Sequence, residues 1–207
     1  MLSRVIASML YYAHMITTIL FDYYGVFVSD TSTVWLDSHG LTRSGHYQEI
    51  VEKYDRGLIG SAEFYGILST LSGDSVTAIE AVFKQPHALN QSVLAILKQL
   101  SGKYTIALTS NGTAHSREVF KQHGVDTLFR DFFVSSEMGV AKPSSAFFQQ
   151  VVTRLGIKPE QAMFIDDSLT NIESASSLGF HTIHFTTSTE LVMRLGEHGI
   201  AIDENRT

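Results

Sequence analysis

Short runs of β-branched and other apolar residues, several of them stopping at polar side chains, constrain this chain more than any other feature. Ile16 to Phe21 ends at Asp22, and Tyr104 to Thr109 ends at Ser110 and Asn111. Ala162 to Ile165 ends at Asp166 and Asp167, Phe132 to Val134 precedes Ser135, and Thr182 to Phe185 comes last. Nearly continuous apolar runs of this length suit strands buried on both faces. Helical spacing appears between them. Ser92 to Leu100 repeats Val93, Leu94, Ile96, Leu97 and Leu100, and Thr113 to His123 follows the second run. Ser144 to Leu155 starts after a proline and stops at Gly156, and Leu169 to Leu178 stops at Gly179. Proline before a helix and glycine after it mark helix ends. Strands alternating with helices predict an α/β fold with a Rossmann-like, doubly wound parallel sheet. Ligands in such sheets lie beyond the carboxyl ends of the strands. Those ends here carry Asp22, Ser110, Asn111, Asp166 and Asp167.

Residues 37–86 break the alternation. They read as helices over Gly45 to Tyr54, Ser61 to Leu71 and Ser75 to Phe83. The expected organisation is a core of residues 15–36 and 87–207, with a small helical cap, 37–86, inserted after the first strand. The cap has few apolar residues, so it is expected to lean on the strand ends rather than stand alone. Residues 1–14 read as a loosely attached N-terminal extension. Their single Arg and short apolar stretch, Val5 to Ala13, also fit a weak signal peptide. A cleavage there would leave almost no lead-in to the first strand.

Bulk properties remove several function classes. The chain has 207 residues, enough for a buried core, with 44% hydrophobic and 17% charged residues. Its formal net charge of −6 argues against non-specific nucleic-acid binding. With no cysteine, thiol catalysis, disulfides and cysteine metal sites are excluded, and a reducing, cytoplasmic setting is expected. No apolar run reaches the roughly 18 residues of a membrane span. The expected partner is a small molecule, with no nucleic acid and no membrane, and the expected assembly is a monomer or homodimer.

Each strand-end motif has a bland reading beside a chemical one. Asp22, followed by the turn glycine Gly25, is either a solvated turn residue or a nucleophile able to form an acyl-phosphate. Ser110-Asn111-Gly112 is a helix N-cap or a phosphoryl cradle. Lys142, before Pro143, is a surface lysine or a charge aimed at the site. Asp166-Asp167 is the most specific. Two carboxylates beside Asp22 repel, and a hard cation such as Mg2+ removes that cost.

Order and spacing together resemble the haloacid dehalogenase superfamily, whose pattern is a strand-end Asp, a Ser or Thr, a Lys and an acidic pair. The resemblance runs from Met15 to about Phe185 and is closest over Ser135 to Pro143 and Phe164 to Glu173. That region, and Asp55 to Phe64 in the cap, are similar to the branch of sugar-1-phosphate phosphatases and soluble epoxide hydrolase phosphatase domains. The resemblance implies a phosphate monoester hydrolase with Asp22 as nucleophile and Lys142 as orienting charge. Ser110 and Asn111 would bind phosphoryl oxygens. Mg2+ would be held by Asp22, the Tyr24 carbonyl and Asp167, with Asp166 nearby.

One departure matters. Most phosphatases of the superfamily carry a second Asp two residues after the nucleophile, as acid for the leaving oxygen. Here that residue is Tyr24. General acid help is worth about 10²–10⁴-fold, and a phenol with a pKa of about 10 is a poor substitute near neutral pH. His46 and Tyr47 are replacements by residue type only. Asp-x-Tyr-Gly and Ser-Asn-Gly resemble the 2-haloacid dehalogenases, whose leaving halide needs no proton. Those enzymes use no metal and lack the acidic pair, which favours phosphatase. A non-catalytic phospho-ligand binder on this scaffold is the third reading, and retention of the full constellation argues against it. Trp35 and the pairs Phe147–Phe148 and His181–His184 read as packing or structural residues.

Overall fold

The computed structural model describes residues 15–29, 31–41, 46–85, 88–113 and 116–203. The proposed N-terminal extension, 1–14, lies outside them. Strands β1 (Thr18–Asp22), β2 (Thr105–Ser110), β3 (Asp131–Val134), β4 (Ala162–Asp166) and β5 (His181–His184) form one sheet. All neighbours pair in parallel, in the order β3-β2-β1-β4-β5. This is the α/β, Rossmann-like architecture expected from the alternation.

Alternation of side chains along the strands explains the two layers of helix. Ile19, Phe21, Ile106, Leu108, Met163 and Ile165 face one core cluster. Leu20, Ala107, Ala162 and Phe164, one residue out of phase, face the other. Successive strand residues point to opposite faces, so an all-apolar strand needs cover on both. The first face is covered by α5 (Gln91–Leu100), α6 (Ser116–Gln122) and α10 (Ser188–Glu197), through Val93, Ile96, Leu97, Phe120, Leu191 and Leu195. The second is covered by α8 (Ser145–Leu155) and α9 (Leu169–Ser177), through Phe147, Phe148, Val151 and Ala175. A four-residue helix, α7 (Ser135–Met138), continues directly from β3. Helix α10 escaped the sequence reading, although its signals are present. Leu191 and Leu195 are spaced i, i+4, and the Thr187 side chain caps the helix by accepting the Glu190 N–H.

Between β1 and α5 lie α1 (Thr31–Ser38), α2 (His46–Asp55), α3 (Ser61–Ser72) and α4 (Val76–Lys84). Leu36, Tyr47, Ile50, Val51, Phe64, Tyr65, Leu68 and Ile79 form a buried apolar cluster of their own. Tyr54 stacks on Phe64 at 4.0 Å beside this cluster. We read α1 to α4 as the cap. Leu36 lies in that cluster and Trp35 packs on Phe83, which is why α1 is read with it.

Phe148 is fully buried among Phe147, Phe164 and Phe180. Phe148→Ala removes a ring that the close-packed layer cannot replace. The expected cost is about 3–5 kcal/mol in urea unfolding. A loss below about 1 kcal/mol would mean that α8 does not pack as described.

Candidate active site

Register brings the polar strand ends together. Phe21 pairs with Ile165, so Asp22 and Asp166 lie side by side one residue further on. Asp22 pairs with Thr109, which places Ser110 just beyond it on the other flank. The strand order reverses at β1, between β2 and β4, and that switch point opens a crevice at the carboxyl edge. Lys142 enters it from the loop after α7. Its ammonium donates to Asp22 Oδ1 at 2.5 Å and to Asp166 Oδ2 at 2.7 Å, over the Phe164 ring at 5.5 Å. All three charged side chains are buried. Asp166 is saturated, since it also accepts from the Ser168 backbone N–H at 2.8 Å and from Asn171 Nδ2 at 3.0 and 3.1 Å.

Carboxylate oxygens of Asp22, Asp166 and Asp167 lie within 4.8 Å of one another. Lys142 neutralises one charge of the three. Burial, and then the Asp166 and Asp167 charges, lift the Asp22 carboxyl to about 8 against the pull of Lys142. Burial opposes the Lys142 charge too, but Asp166 and Asp22 together outweigh it and hold the ammonium above the ordinary lysine value. An all-oxygen cluster with excess negative charge, two of its carboxylates buried and the third, Asp167, exposed, fits a hard divalent cation.

Gly25 is what lets Asp167 approach. Its φ of +83° is left-handed, and a Cβ there would meet Asp167 Oδ2 at 2.2 Å. On the other side, the Asp167 carbonyl is 2.9 Å from His184 Nε2, so a histidine read as structural supports the acidic pair. Ser110 is fully buried, and among the described residues its hydroxyl has no hydrogen-bond partner. A buried unpaired hydroxyl is costly unless a ligand completes it.

Asn111 is placed differently from the expectation. Its carboxamide grips the backbone of Lys142, accepting the Lys142 N–H at 2.9 Å and donating to the Lys142 carbonyl at 2.9 Å. Its side chain is thus committed to the lysine's backbone. Tyr23 turns away from Asp22, with its phenol hydrogen-bonded to His123 and its ring against Phe120 and Tyr24. The Tyr24 ring packs on Tyr23 at 5.0 Å. Tyr47 is buried in the cap cluster, while the side chain of His46 lies outside the described residues. Trp35 donates to Asp74 within the cap.

Two outcomes follow from this geometry. Gly25→Ala should displace Asp167, so that a divalent cation titrated into the cluster by calorimetry would bind more weakly than in wild type, besides costing about 1–3 kcal/mol of backbone strain. The second concerns pH. An Asp22 pKa raised from 3.8 to about 8 means that folding without metal takes up a proton in that window. Its stabilising contribution is full below the lower value and is lost as pH rises through the upper one. Cation binding must expel that proton. The apparent Mg2+ dissociation constant should therefore fall by about tenfold between pH 6 and 7 and level off above about pH 8. A flat profile would show Asp22 ionised throughout, despite Asp166 and Asp167 beside it.

Comparison with known proteins gives the family and the fold. The chain is 28% identical to the sesquiterpene phosphatase astK of Aspergillus oryzae over 153 residues, covering 71% of this chain and 78% of that protein. It is also 28% identical to (S)-2-haloacid dehalogenase 2 of a Pseudomonas species over 114 residues, 55% of this chain and 49% of the other. Among solved structures, the HAD family enzyme bt-2542 of Bacteroides thetaiotaomicron, in complex with magnesium and inorganic phosphate, superposes with a TM-score of 0.65. That pair shares 25% identity, over 83% of this chain and 94% of the other. Residues 16–179 match the hydrolase family described as haloacid dehalogenase-like hydrolase. With most of its length inside that match, and an aspartate, a lysine and an acidic pair meeting at one sheet edge, the chain belongs to the haloacid dehalogenase-like hydrolases.

Proposed function

We propose that this hydrolase cleaves phosphate monoesters of small metabolites with Mg2+, through an aspartyl-phosphate on Asp22. The observation that carries the reading is Asp22 held by a buried lysine inside an acidic cluster, beside the Ser110 hydroxyl, which has no partner among the described residues. Phosphatase chemistry uses each part. An Asp22 oxygen attacks phosphorus, and the bond from phosphorus to the ester oxygen breaks. The departing alkoxide takes a proton. Water then attacks the phosphorus of the acyl-phosphate, releasing inorganic phosphate and restoring the Asp22 carboxylate. Lys142 holds the attacking oxygen in place and offsets charge on the phosphoryl group. Ser110 and the Asn111 backbone receive phosphoryl oxygens. Bound Mg2+, which we assign to Asp22, Asp167 and the Tyr24 carbonyl with Asp166 nearby, supplies the charge that lets nucleophile and phosphate approach.

Tyr24 limits the substrate. Without a carboxylic acid at that position, esters whose leaving oxygen is a weak base are favoured, or the proton comes from water. Because one relative is named a sesquiterpene phosphatase, terpenyl phosphates belong in a substrate panel beside sugar phosphates. Tyr24 also fits the second reading, 2-haloacid dehalogenation, as does the similarity to a haloacid dehalogenase. The acidic cluster weighs against it, since it would repel a haloacid carboxylate.

The deciding experiment assays phosphate esters and 2-haloacids with Mg2+ or EDTA. Expected is Mg2+-dependent phosphate release that drops by about 10⁴-fold or more in Asp22→Asn. Halide release unaffected by EDTA would replace the proposal with the dehalogenase.

A further inference from the structure

Cap and core meet where hydrogen bonds converge on the end of α2. The Ser135 hydroxyl donates to the Asp55 carbonyl, and Arg56 Nε donates to the Gly139 carbonyl at 3.3 Å. Gly57 lies so close to Ser136 that a Cβ there would meet the Ser136 Cβ at 3.1 Å. The fourth contact reaches furthest into the site. Asn111 Nδ2 donates to Asp55 Oδ2 at 3.3 Å.

Asn111 has one acceptor oxygen and two amide hydrogens to place. The oxygen takes the Lys142 N–H, and the amide nitrogen serves both the Lys142 carbonyl and the Asp55 carboxylate. A flipped amide would point its oxygen at that carbonyl and that carboxylate, and its NH2 at the Lys142 N–H. Every contact would then be repulsive. Asp55 accepts the remaining amide hydrogen and so reinforces the orientation that clamps Lys142 on both sides. The clamped backbone carries the ammonium that bridges Asp22 and Asp166.

We propose that Asp55 is a positioning residue: docking of the cap through Asp55 locks Asn111 on the Lys142 backbone and thereby sets the lysine on the nucleophile. Chemistry is thus coupled to the closed cap, although Asp55 lies outside the charged cluster itself. The kinetic part of the test rests on the phosphatase reading, while the exchange part does not.

The experiment compares Asp55→Ala, Asp55→Asn, Asn111→Ala and the Ala/Ala double variant, each checked for folding by circular dichroism and urea unfolding. Asp55→Ser replaces the alanine variant if that one does not fold, because its side chain is too short to make the bond. Amide exchange is followed at Lys142, whose N–H the clamp protects, with and without Mg2+. Expected in Asp55→Ala is Lys142 exchange faster by about tenfold, the loss of one charge-assisted bond. On the best ester kcat falls about five- to tenfold and KM changes less. Asp55→Asn, whose side-chain oxygen accepts the same bond, restores most of both, and the double variant is no worse than Asn111→Ala. Unchanged Lys142 exchange in a folded Asp55→Ala would overturn the proposal. So would losses that multiply in the double variant, or a pure KM effect. If the wild type hydrolyses no ester, the phosphatase reading fails, and the exchange result still decides the role of Asp55.

Discussion

A buried ammonium shared by two buried carboxylates organises the carboxyl edge of the sheet. Lys142 sits between Asp22 and Asp166, and removing any one of the three leaves the others uncompensated in an apolar setting. Breaking such a group typically costs about 3–5 kcal/mol. A buried ion trio adds little net stability compared with apolar packing, so its presence points to function. The surrounding bonds serve to hold it. Ser168 and Asn171 saturate Asp166, Asn111 pins the Lys142 backbone, and Phe164 lies under the ammonium. Asp167 then adds a charge that the lysine cannot balance, and this makes the crevice a place for a cation.

Register aligns the carboxylates of this group, and the loop after α7 brings in the lysine. Parallel pairing of β1 with β4 aligns Asp22 with Asp166, and a slip of one residue would turn each apolar strand residue to the opposite face. The two segregated core clusters oppose any slip, since Phe21 and Leu20 each fit one side only. Core packing and site geometry therefore depend on the same registration.

Much of this was legible in the sequence because strands buried on both faces leave continuous apolar runs, and their polar ends stand out. Asp22, Ser110, Lys142, Asp166 and Asp167 meet at one edge for that reason. What escaped was set by contacts distant in sequence. Asn111 looks like a phosphoryl ligand from its neighbours, and only the fold reveals that its carboxamide is spent on Lys142, 31 residues away. His184 and Asp55 carry no local signal, since each reaches the site through a contact across the fold. The apolar cluster of α1 to α4 assembles Leu36, Tyr47, Ile50, Val51, Phe64, Tyr65, Leu68 and Ile79 from four separate helices, so no single stretch of sequence displays it.

The cap cluster is separate from both clusters that flank the sheet. Energetic coupling between residues falls off when they share no packing partners. Substitutions inside that cluster should then leave undisturbed the register that aligns Asp22 with Asp166. A lineage built on this plan can drift in the packing of α1 to α4 while the sheet edge stays in place.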